Sequence, residues 1–349
     1  MLRAQLLYKL GRYGECVGAY EELLSGWPGG AGAAPLEVRA NAVAAHVAAG
    51  RGAEVPSLLP RLKLTPKSSF EVAYGVACAS LAGGDHAKAE HELQVALRLG
   101  KEALYDEDYA DEEVEEELLP ITVQLAVCAA ALGRAEEAGE AYSAAIKKYG
   151  GAGGEGDEGV DHATLAVASN NLAALAGAGG AAAAKRLERL VGPGGGLRRA
   201  LEASLSPNQR AAVLRNRAAA LLGARSLDAC RELSAALERE SPQDPGPALL
   251  QAAAAAREKR FKKADELLAA FQARCGDAGG RSEAQLMRAQ VAVARGEPGR
   301  AAELLGEVED EELRGAPATV ATAVACAEAG GDGAGAEALL EAAAAAAAA

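Results

Sequence analysis

The 349 residues carry a net charge of −13, are 24% charged and only 3% aromatic, and include 41 glycines. So few aromatics suit closely packed helices better than sheets, and no uninterrupted apolar run long enough for a membrane span or a signal peptide occurs. Six cysteines, at 16, 78, 128, 230, 275 and 326, include no C-x-x-C, and the four histidines form no H-E-x-x-H; a soluble cytoplasmic protein without metal or cofactor, its cysteines serving as small packing residues, is the expectation.

The first predicted elements are two short helices in "LLYKLGRYGECVGAYEELLSGWP", which starts at Leu6 and is broken at Gly11. Trp27 is read as a packing residue, and Pro28 closes the second helix. The same two-helix pattern returns around turns at Gly50, Gly84, Gly133, Arg225, Lys259, Gly296 and Gly331. Five residues after each turn stand Cys16, Val55, Ala89, Ala138, Cys230, Ala264, Ala301 and Ala336. Nine after stand Tyr20, Leu59, Leu93, Tyr142, Ser234, Leu268, Leu305 and Leu340. The two offsets differ by one helical turn, so both sets share a face of the second helix. Seven before each turn stand Ala4, Val43, Ala77, Ala126, Ala218, Ala252, Ala289 and Val324, small enough to let the paired helices approach closely.

Successive turns are 39, 34, 49, 92, 34, 37 and 35 residues apart, a unit of about 34 residues, which is the tetratricopeptide period. A two-helix unit cannot bury its apolar face alone, and stacked copies make one continuous core. The fold class predicted is all-α, a tetratricopeptide solenoid over residues 1–341, with about nine antiparallel helix pairs in a right-handed superhelix. Three stretches depart from the period. The run "YDEDYADEEVEEELLP" ends a helix at or soon after Gly100 and inserts nine acidic residues, a solvated loop over 105–120. The long gap holds a degenerate pair at about 161–205, flanked by flexible glycine-rich connections at 150–159 and 192–196. Alanines at 342–349 form a low-complexity tail.

Nine residues before the turns stand Asn41, Gln124 and Asn216, with Gly75 interrupting the series and Asn170 and Asn171 bracketing the equivalent place in the degenerate pair. At about 100° per residue this position points away from the helix's own partner. Two roles stay open for the amides: holding a partner's backbone in a groove, or hydrogen-bonding between neighbouring repeats. Charge is uneven as well. Residues 185–263 hold 16 basic and 8 acidic side chains, against 14 and 26 before them and 6 and 15 after. The densest stretch, with Arg257, Lys259, Arg260, Lys262 and Lys263, is suited either to a solvated face or to steering an acidic partner. No phosphate-binding glycine loop and no convergent set of nucleophile, base and orienting group is found, so an enzyme is not expected.

Beyond the period, the order of "LYKLGRYGECVGAYEELL", "FEVAYGVACASLAGGDHAKAEHEL", the acidic insertion, "LAVASNNLAAL" and "LSPNQRAAVLRNRAAALL" resembles the seventy-two-kilodalton subunit family of the signal recognition particle. The resemblance implies a non-catalytic scaffold whose helical repeats grip the sixty-eight-kilodalton subunit in cotranslational targeting to the endoplasmic reticulum. It further implies that RNA contact belongs to a lysine-rich tail, which this sequence does not contain; nor does it contain the repeats expected upstream. The alternative is an unrelated tetratricopeptide adaptor or co-chaperone clamping a peptide's terminal carboxylate. That reading needs lysine and arginine at matched first-helix positions, where this chain has small and amide residues.

Overall fold

The computed structural model describes residues 1–150, 161–177, 181–192 and 195–348. Among them the chain forms 21 α-helices and no strand. The first pairs are α1 (Leu2–Lys9) with α2 (Tyr13–Ser25), α3 (Leu36–Ala48) with α4 (Val55–Arg61), and α5 (Phe70–Ala82) with α6 (His86–Asp106). A short α7 (Asp111–Glu117) precedes the pair α8 (Leu119–Ala131) and α9 (Ala135–Tyr149). Then follow α10 (His162–Leu175), α11 (Ala181–Glu188) and α12 (Arg199–Ser204). Four further pairs complete the chain: α13 (Pro207–Gly223) with α14 (Leu227–Glu240), α15 (Pro245–Arg257) with α16 (Phe261–Arg274), α17 (Ala278–Arg295) with α18 (Pro298–Gly306), and, after a short α19 (Glu311–Gly315), α20 (Pro317–Ala329) with α21 (Gly333–Ala348).

Two compact units result, Met1–Gly177 with Arg186–Val213, and Ala178–Lys185 with Leu214–Ala349. Side-chain oxygens that accept from free backbone amides start several helices: Ser69 for α5, Asp85 for α6, Asp161 for α10, Asp244 for α15 and Asp277 for α17. All eight turn residues chosen from the sequence have the left-handed backbone, from 60° at Lys259 to 84° at Gly133. The residues five after them are all buried, and of those nine after only Leu340 is exposed, at 55%. Seven before the turn, Val324 alone is only half-buried; its neighbour Ala323 takes the core position instead. Trp27 packs half-buried against the core of the first two pairs.

The acidic stretch 105–120 is not a loop. Helix α6 continues through Gly100 to Asp106, and α7 folds back with Val114 and Leu118 buried beside Leu104. A β-carbon at Gly100 would stand 2.5 Å from Leu118 Cδ2, so the glycine admits this leucine. Most of the carboxylates lie on the exposed face of α7, though Glu116 is half-buried, and Glu113 accepts from the Ala110 amide at 2.9 Å. In the degenerate pair α10 is regular and its turn is left-handed at Gly177. The second helix, however, is broken into α11 and α12, and the chain reverses through a pairing of Val191 with Leu197. The glycine-rich connection at 151–160 and residues 193–194 lie outside the described residues. The expected alanine tail is no separate element, because α21 runs through it to Ala348, as the residue of highest helix propensity allows.

Candidate functional site

Helix position decides what each amide can do. In α5, Gly75 is buried, and a β-carbon there would lie 3.1 Å from Val43 Cγ1 on α3. At Gly75, then, the ninth residue before the turn faces the first helix of the preceding pair. Gln124 follows the same rule, for it hydrogen-bonds the Tyr74 phenol across from α8 to α5. Asn41 is half-buried on α3 and hydrogen-bonds none of the described residues, and Asn216 is half-buried on α13.

Asn170 and Asn171 leave the series. With Gly177 as the turn they stand seven and six residues before it, so Asn170 takes the buried packing position, 7% exposed. It donates to Asn171 Oδ1 at 3.3 Å, and Asn171 Nδ2 reaches the Tyr142 hydroxyl of α9 at 3.5 Å. The slip was hidden in the sequence because Gly177, followed by more glycines, gives no unique turn position.

The basic segment Arg257, Lys259, Arg260, Lys262 and Lys263 is exposed throughout. Arg257 donates to the Leu222 carbonyl at the end of α13, 3.0 Å away. Arg260 lies 3.4 Å from Glu258, which Arg231 also holds at 2.8 Å. These bonds keep the Glu258 carboxyl below the usual carboxylate range, Arg231 contributing most.

A polar seam between α16, α17 and the residues after α18 was not anticipated. Gln285, 5% exposed, accepts from Gln272 at 2.6 Å and donates to Glu307 at 2.9 Å. Arg288 donates to Asp265 at 2.7 Å and to Gln272 at 2.9 Å, and the fully buried Ser282 accepts from the Asp310 amide at 2.9 Å. Every partner lies within the second unit, and satisfied networks of this kind fix neighbouring helices in register. The signal in the sequence was Ser282, Gln285 and Arg288 at spacing three, one stripe of α17.

A cleft of about 620 Å³ opens in the first unit between α2, α3 and α4, lined by Tyr20, Glu21, His46, Leu58 and Arg61 among others. His46 Nδ1 donates to the Ala42 carbonyl at 2.8 Å, and its Nε2 stands 3.8 Å from Glu21. Among the described residues no cluster of three or more His, Cys, Asp or Glu is placed to hold a metal, and no helix is long and apolar enough to cross a membrane.

Paired helices meeting at left-handed turns, with small residues buried at fixed offsets on both sides, define a tetratricopeptide-repeat protein. A solved chain of the same fold occurs in the APC/C hetero-tetramer Cut9-Hcn1: TM-score 0.56, 13% identity, 93% of this chain and 54% of that one. The sequence is more particular. Over 324 residues, 93% of this chain, it is 30% identical to signal recognition particle subunit SRP72 of Canis lupus familiaris and equally to that of Homo sapiens, covering 45% of each. SRP72 of Dictyostelium discoideum matches at 30% over 171 residues. The chain is thus an SRP72-related tetratricopeptide-repeat region, and it spans less than half the length of the mammalian relatives. No protein-family model matches it.

Proposed function

We propose that this chain is the helical-repeat part of a non-catalytic, cytoplasmic scaffold subunit of the signal recognition particle, and that its repeats bind the sixty-eight-kilodalton subunit during targeting to the endoplasmic reticulum. The observation that carries the reading is the similarity to SRP72 along 93% of the chain, and the register of the turns gives it a physical counterpart. First helices supply the partner groove, and Asn41 is the amide best placed to serve it, since its side chain is committed to no described neighbour. Gln124, Asn170 and Asn171 already bond within the repeats and act in stacking. The exposed cations from Arg257 to Lys263 steer an acidic segment toward the second unit.

The test is capture of purified sixty-eight-kilodalton subunit by this chain, with Asn41→Ala and Asn170→Ala compared for affinity and melting on the same samples. Asn41→Ala should weaken binding by about 0.5–1.5 kcal/mol with little change in melting. Asn170→Ala should lower melting while the remaining folded protein binds as before. Failure of the unaltered chain to bind the subunit overturns the scaffold reading, and a melting loss at Asn41 without loss of affinity assigns that residue to stacking.

A further inference from the structure

Six of the eight recognised turns place glycine at the left-handed residue, but the turn from α13 to α14 has Arg225 there (φ 61°) and the turn from α15 to α16 has Lys259 (φ 60°). A β-carbon disfavours this backbone, which glycine adopts freely. Both turns are otherwise ordinary: Ser226 N bonds Leu221 O and Arg260 N bonds Ala255 O, each at 2.9 Å, as in helix ends built around glycine. Lys63 and Asp108 are also left-handed, but they follow α4 and α6, outside the turns within pairs. Two successive repeats, 34 residues apart, thus keep a cation at a position that favours glycine.

The surroundings leave these cations free. Arg225 and Lys259 are exposed, and neither they nor Lys262 forms an ion pair with a described residue. The acids nearest in sequence are already held: Asp228 by Arg231, Glu258 by Arg231 and Arg260, and Asp265 by Arg288. Arg257 reaches back to the Leu222 carbonyl and so ties the second turn to the end of the helix that carries the first. A cation past a helix C-terminus also complements the helix dipole, yet any residue of the last turn does that without strain, and Arg257 occupies that turn in α15.

We propose that Arg225 and Lys259, supported by Lys262, form a ridge that binds an acidic polypeptide segment in extended conformation. This deepens the steering role given above to the basic segment and rests on it. Packed helices of adjacent repeats lie about 10 Å apart, and a polyproline-type strand brings every third side chain to one face at about 9 Å intervals. Carboxylates three residues apart therefore match the two turn apices. Nucleic acid is the poorer fit, because Phe261, the aromatic residue beside the ridge, packs half-buried in the core and the chain carries a net charge of −13.

The experiment uses the full chain and a proline-rich peptide with glutamate at every third position; the same peptide with glutamine and a 20-nucleotide RNA serve as comparisons. The double variant Arg225→Gly, Lys259→Gly should melt above the unaltered protein while binding the glutamate peptide about tenfold more weakly, with a flatter salt dependence. The double variant Arg225→Gln, Lys259→Gln keeps the β-carbons and removes the charge, so it should lose binding without the gain in melting. Peptide affinity unchanged in both variants, a lower melting point in the glycine variant, no binding of the glutamate peptide by the unaltered chain, or RNA bound more tightly than peptide would each overturn the ridge. Capture of the sixty-eight-kilodalton subunit is measured in parallel, so loss of the ridge and loss of the scaffold reading give different results.

Discussion

Cys78 shows how much a single side chain depends on its setting. It lies half-buried on α5 against the Tyr74 phenol, and burial pushes its thiol up to about 11, the hydrogen bond from Tyr74 only partly opposing the shift. Since the unfolded thiol ionises near 8.5, the folded group stays neutral across a range where the unfolded one is charged; this contribution to stability is whole below about pH 8.5 and is lost progressively as pH rises toward 11. Iodoacetamide at pH 8 should therefore modify Cys78 about a hundredfold more slowly in the folded chain than in denaturant, as peptide mass spectrometry would show. Rapid labelling of native Cys78 would contradict its burial. Burial likewise raises the thiols of Cys16, Cys128, Cys230 and Cys326. Their reading as packing residues came from the sequence, as could the Tyr74 contact of Cys78 one turn away on the same helix, whereas the meeting of Tyr74 with Gln124 of α8 depends on how the helices pack.

At the scale of elements, the turns are equivalent in backbone but not in surroundings. Gly11 and Gly50 share nearly the same φ, 71° and 73°. A β-carbon at Gly50 would meet nothing within 4 Å, while one at Gly11 would stand 2.5 Å from Pro207 Cγ. Alanine at Gly50 should cost about 1–2 kcal/mol for the left-handed backbone alone. At Gly11 it should cost about 1–3 kcal/mol more, because the proline ring cannot rotate aside. Urea melts of the two variants give the comparison, and equal losses would show that the turn does not rest on Pro207. The proline starts α13 in "LSPNQRAAVLRNRAAALL", and Ser206 with Gln209 forms the reciprocal cap, Gln209 accepting from the Ser206 amide at 2.9 Å. That cap is legible in the sequence. Its contact with a turn almost two hundred residues earlier is not, since local spacing carries no information on such closure. The acidic stretch 105–120 differs from its expected loop for a related reason: nine carboxylates describe a solvated surface, but Val114 and Leu118 at spacing four are enough to anchor the short helix α7.

For the whole molecule, the net charge of −13 and the SRP72 similarity lead to opposite expectations for two macromolecules. Binding to the sixty-eight-kilodalton subunit should survive moderate salt, whereas the isolated chain should bind particle RNA weakly, because phosphate neutralisation supplies most such affinity. Filter binding across a salt series tests this, and tight, salt-sensitive RNA binding would refute it. The sequence by itself determined the repeat, the left-handed turns and the buried small residues, because one helix pair imposes the same local geometry wherever it recurs and its offsets are set by 3.6 residues per turn. Only the tertiary structure decided which amides are spent between repeats, that Ser282, Gln285 and Arg288 form an interior seam, and that Arg225 and Lys259 hold free charge on strained turns. Those outcomes depend on which side chains meet across neighbouring helices, and helical periodicity fixes a residue's face without naming the partner it meets there.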